Sequence, residues 1–72
     1  MGANILREIG RQYVAEALQT LPNAETAAED FLEAVVELPV FGQVRFTCEC
    51  MTGRQGKNRY RFWTAIKAVK ID

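Results

Sequence analysis

The chain predicts an α+β domain, with two N-terminal helices packed on a long bent antiparallel β-hairpin in the order α-α-β-β. Three observations lead there. Apolar residues recur with a helical period through the first half. They alternate with period two after Leu38. A turn-rich segment, "TGRQGKN", divides the second half. The whole chain, 1–72, reads as a single small domain.

The first helix is expected over 4–21. From Ile5 the apolar positions are 5, 6, 9, 13, 14, 17, 18 and 21, and Asn4 has the chemistry of an N-cap. Gly10 lies inside this span at a cost of about 1 kcal/mol relative to alanine, which a close packing approach would explain. Pro22 ends the helix by disfavouring helical geometry at Leu21.

The second helix is expected over 24–38. "TAAE" at 26–29 has the spacing of a capping box. Ala24, Ala27, Ala28, Phe31, Leu32, Val35 and Val36 form an apolar face, and Glu25, Glu29, Glu33 and Glu37 recur every fourth residue on another. Like charges at that spacing destabilise a helix by about 0.2–0.5 kcal/mol per pair. No cation lies between Gln12 and Val44 to relieve them.

Strands are expected over 40–51 and 59–71. Pairing them about Gln55 sets Cys50 against Tyr60, Cys48 against Phe62, Phe46 against Thr64 and Val44 against Ile66, on a face resting on the helices. Glu49 then meets Arg61 on the other face as an opposite-charge pair. The apolar parity slips at 68/69, opposite Gly42, which predicts a β-bulge. Two strands leave two open edges. Strand addition across a two-fold would close one of them, so a homodimer with a four-stranded sheet is expected.

Charge is divided along the chain. Residues 1–44 hold two cations against seven acids, net −5, and residues 45–72 hold seven cations against two acids, net +5. The basic half is interleaved with aromatics. This points to nucleic acid as partner, with Arg45, Arg54, Lys57, Arg59, Arg61 and Lys67 on phosphates and an outward-facing Trp63 stacking on bases. The alternative expectation is a protein-interaction module, or a small phage-type inhibitor. Its contact would be the acidic helix face of Glu25, Glu29, Glu33 and Glu37, or the face carrying Trp63.

The chain contains no histidine and no serine, which removes the usual imidazole base and the serine nucleophile. A domain this small encloses little cleft, so an enzyme is not expected, nor a cofactor. Cys48 and Cys50 supply two ligands where a zinc site needs four, so they read as reduced core residues and no metal is expected. The opening "MGANILREIG" has no apolar leader, and no apolar run is long enough to span a membrane. The cytoplasm is the expected compartment.

Overall fold

The computed structural model describes residues 2–71. It contains one α-helix and a three-stranded antiparallel sheet, and is mostly strand. A 3₁₀ turn, Leu6–Glu8, precedes α1, Arg11–Gln19. Then come β1, Phe31–Leu38, β2, Gly42–Gln55, and β3, Asn58–Lys70, with β2 in the centre of the sheet. The expected pair of helices over a hairpin is therefore overturned.

The main correction is at 24–38, where the expected helix is replaced by a loop and β1. "FLEAVVEL" satisfies two periods at once. Its helical stripe is Phe31, Leu32, Val35 and Val36, while Leu32, Ala34, Val36 and Leu38 make a period-two set. The structure uses the second set, burying Ala34 and Leu38 and leaving Phe31, Glu33, Val35 and Glu37 exposed. Pairing explains the choice. As a strand, these residues satisfy the backbone groups of β2 from Gly42 to Glu49, which a helix could not do. Extension also dissolves the glutamate ladder. Glu33 and Glu37 move roughly 13 Å apart along a strand, and Glu25 and Glu29 fall in the preceding loop.

The first helix is shorter than expected because it breaks at Gly10. That residue is extended (φ −60°, ψ 146°) and stands at the N-cap of α1. The break lets Ile9 enter the core at 6% exposure. Asn4 caps no α-helix. Its Oδ1 accepts the N–H of Leu6 at 3.1 Å and of Ala68 at 3.0 Å, and the Ile5 N–H reaches the Ala68 carbonyl at 2.8 Å. The N-terminal segment thus covers the β3 edge at Ala68.

The register of β2 and β3 is also corrected. Cys50 pairs with Trp63, Cys48 with Ala65 and Glu49 with Thr64. The hairpin closes on Gln55↔Asn58, leaving Gly56 and Lys57 as a two-residue turn. Gly56 has φ +63° and Lys57 does not share it, the pattern of a type II′ turn. The register shift falls between Thr47 and Cys48, where β3 carries Ile66 as the extra residue, and not at 68/69.

The core lies between the inner side of the sheet and α1. Phe46 is fully buried at its centre, flanked across the strands by Ala34 and Ala68, and Ala17 of α1 is buried in the same cluster. One large ring among alanines is a size match that close packing requires. A three-residue connection links β1 to β2. Val40 at its centre has φ 72°, with the Phe41 N–H bonded to the Pro39 carbonyl at 2.8 Å, a strained γ-turn for a β-branched residue.

The hairpin projects instead of folding back. The extents are 43 × 22 × 19 Å, and the radius of gyration is 13.0 Å against about 11 Å for a compact chain of this length. No helix among the described residues is long and apolar enough to cross a membrane.

Candidate nucleic-acid interface

β1 pairs with β2 only as far as Glu49. Beyond it, residues 50–63 form a two-stranded ribbon whose two sides differ in chemistry. Cross-strand partners share a side, so the register assigns each residue.

The inner side carries Cys50 and Trp63, then Thr52 and Arg61, then Arg54 and Arg59 near the tip. At its base the ribbon is fastened to the 20–30 loop. The Trp63 indole N–H donates to the Pro22 carbonyl at 2.7 Å, and the Arg61 guanidinium donates to the Ala27 carbonyl at 3.1 Å. The Arg61 backbone N–H donates to Glu25 Oε1 at 2.6 Å, and the Cys50 thiol lies 3.8 Å from the Ala24 carbonyl. Trp63 is therefore half-buried on the inner side, not outward as the sequence suggested.

Arg54, Lys57 and Arg59 are exposed at the tip. Arg54 and Arg59 stand directly opposite one another. Two like charges in that relation destabilise a strand pair, so the free protein carries a cost that an anion would relieve. From Cys50 to Ile71 there is no acidic residue.

Arg45 and Lys67 are elsewhere. They lie on the outer side of the sheet around a shallow depression of about 210 Å³ that Glu33 also lines. Arg45 Nε is 4.0 Å from Glu33 Oε1, which offsets part of its charge. Nine residues of extended chain separate Arg45 from Arg54, roughly 30 Å. The expected cations are thus divided three ways: Arg45 and Lys67 on the outer side of the sheet, Arg61 at the ribbon's base, and Arg54, Lys57 and Arg59 at the tip. Nor are the four glutamates brought together. Glu25 and Glu29 are in the loop, and Glu33 and Glu37 are on the outer side of β1. The expected acidic helix face does not form.

The outer side of the ribbon holds residues that the sequence reading passed over. Met51 pairs with Phe62, and Tyr60 pairs with Gly53. Met51, Tyr60 and Phe62 are 39%, 44% and 39% exposed. The Tyr60 and Phe62 ring centroids are 5.7 Å apart with planes inclined by 34°. A signal for this side was available. Gly-Lys between Gln55 and Asn58 is a two-residue turn with glycine first, and reading it so turns Tyr60 and Phe62 outward.

Cys48 is fully buried and Cys50 is partly buried. Burial pushes the Cys48 thiol above its ordinary value of 9.0. The thiolate is the reactive form, so a thiol reagent such as DTNB at mildly alkaline pH is expected to label Cys50 in the native protein. Cys48 should be labelled only after urea is added. The pH dependence follows the same shift. The unfolded thiol ionises first as pH passes about 9, so the unfolded state then binds fewer protons than the native state and stability falls. Below that pH the contribution is constant. Urea titrations at neutral and strongly alkaline pH measure the decline, which should be smaller in Cys48→Ala. Equal labelling of both thiols without urea would show that Cys48 is not enclosed.

No protein-family model, curated protein or solved structure matches the chain.

Proposed function

We propose that this is a non-enzymatic, cytoplasmic binding protein that engages nucleic acid through the projecting β2–β3 ribbon. The observation that carries the reading is the tip. Arg54, Lys57 and Arg59 are exposed there, Arg54 faces Arg59 across the strands, and no acid occurs between Cys50 and Ile71. A polyphosphate backbone is the common ligand that relieves such a cluster, and it releases its own counterions on binding. Arg61 and Trp63 serve the interface indirectly, because their bonds to the 20–30 loop hold the ribbon's base. The reduced state expected of Cys48 and Cys50 suits the cytoplasm.

The test is fluorescence anisotropy of a labelled oligonucleotide at about 50 and about 200 mM salt. Three phosphate contacts to a single strand give a log–log slope near −2, or roughly a 20-fold loss of affinity over that range. Lys57→Ala should reduce the slope by about 0.7. Absence of binding at the lower salt would end the proposal.

A further inference from the structure

We infer that the outer side of the ribbon is a stacking platform for unpaired bases, formed by Tyr60 and Phe62, so that the ligand class is single-stranded nucleic acid and not duplex. The inference rests on the nucleic-acid reading above and adds a site to it.

The outer side of the ribbon is open to solvent. Met51, Tyr60 and Phe62 leave more than a third of their surface in water on one side of a two-stranded ribbon. Met51 and Phe62 are cross-strand partners and the Tyr60 and Phe62 rings are neighbours, so the three form one apolar patch open to a ligand. Tyr60 has a seat on the opposite strand. A Cβ at Gly53 would fall on the Tyr60 ring, 2.7 Å from Cε2. Only glycine allows the ring to lie over β2 there, so the position of Tyr60 is built into the opposite strand.

Ring spacing distinguishes single strand from duplex. The two rings sit side by side, 5.7 Å between centroids. Bases in a duplex strand rise about 3.4 Å each, with both faces covered by their neighbours. Two bases that meet Tyr60 and Phe62 separately must be unstacked, a condition met in single strands.

Charge selects the occupant. Arg54, Lys57 and Arg59 stand at the tip of the same ribbon, and no acidic residue occurs from Cys50 to Ile71, so the surroundings of the patch favour an anionic occupant. A nucleic-acid strand brings phosphates to these cations. Neighbouring strands are about 5 Å apart, less than the length of an arginine side chain, so an arginine rooted on the inner side is long enough to meet a phosphate at the ribbon's edge. Glu49 lies on the outer side at the ribbon's foot, opposite Thr64. It confines the site to the tip half.

The test uses the full chain, a labelled oligothymidine of about 12 nucleotides, within the site sizes of such surfaces, and a duplex of equal length. The wild type should prefer the single strand by at least about tenfold. Tyr60→Ala and Phe62→Ala should each weaken single-strand binding by at least about fivefold, with duplex binding and salt slope unchanged. Tyr60→Phe should retain binding. Gly53→Ala should act like Tyr60→Ala by displacing the ring. Circular dichroism of each variant separates loss of binding from loss of fold. Equal affinity for both ligands and indifference to the aromatic variants would overturn the platform while leaving the ribbon's nucleic-acid role intact. No binding of either ligand at low salt would overturn both. Sedimentation showing a dimer that Tyr60→Ala dissociates, without oligonucleotide binding, would assign the patch to a second copy instead.

Discussion

Phe46→Ala is expected to lower stability by about 3–5 kcal/mol, the usual cost of removing a large aromatic side chain from a core. Phe46 is fully buried at the centre of the inner face. Its cross-strand neighbours are Ala34 and Ala68. Alanines are too short to collapse into the space the ring leaves, so the cavity term is retained in full. A domain of this length has roughly 4–11 kcal/mol in total, at about 0.05–0.15 kcal/mol per residue. The variant should therefore sit near its folding threshold. Urea unfolding followed by Trp63 fluorescence measures the change, and Trp63 is the only tryptophan. Ile66→Ala is the control. Ile66 is the extra residue of the bulge and is 42% exposed, so its loss should cost much less. A Phe46→Ala shift below about 1 kcal/mol would contradict the stacking of α1 on the sheet.

The second large effect is at Trp63. Trp63→Ala should cost about 2–4 kcal/mol, below the range for fully buried aromatics because the side chain is only partly buried. It should also free the 20–30 loop. That loop is held by Trp63, Arg61 and Cys50, and it buries Ala24. Removing the indole takes away both a packing surface and the bond to Pro22. Glu25 and Glu29 lie in this loop, so a glutamate-specific protease reports its release. Cleavage there should accelerate in Trp63→Ala, with global stability followed by circular dichroism. Trp63→Phe keeps most of the packing and loses only the hydrogen bond, for about 1 kcal/mol. Unchanged cleavage in Trp63→Ala would show that Arg61 and Cys50 hold the loop alone.

The two variants probe different layers. Phe46 joins sheet to helix, and Trp63 joins the ribbon's base to the loop beneath it. Loss of the first threatens the whole fold. Loss of the second loosens the foundation from which Arg54, Lys57 and Arg59 project.

Much of the second half could be read from residues alone, because its signals are local. Alternation from Val44 to Cys48 places Val44, Phe46 and Cys48 on one face, and all three are fully buried. The turn region is marked by its glycines, and the division of charge is a matter of counting. The register needed one more step. Centring the turn on Gln55 displaced β3 by three residues, an odd number, and an odd slip exchanges the two faces of a strand. Trp63 was thereby turned outward and Tyr60 and Phe62 inward. The type II′ preference for glycine at the first turn position holds the information that corrects it.

Residues 31–38 are a different case. Phe31, Leu32, Val35 and Val36 fit a helix, and Leu32, Ala34, Val36 and Leu38 fit a strand, so no local rule decides between them. β2 decides. As the second strand of an isolated hairpin it would leave one edge unpaired. With β1 beside it, its backbone groups from Gly42 to Glu49 are satisfied and Phe46 is enclosed. That gain comes from residues distant in sequence, and no window of the chain contains it. The sequence by itself thus determined which segments alternate, where the chain turns and how charge is divided. Tertiary structure alone decided that β1 is a strand and that Gly10 breaks a helix to admit Ile9. It also bound Trp63 to the carbonyl of Pro22, 41 residues away in the chain, because only the folded sheet brings the 20–30 loop against the ribbon's base.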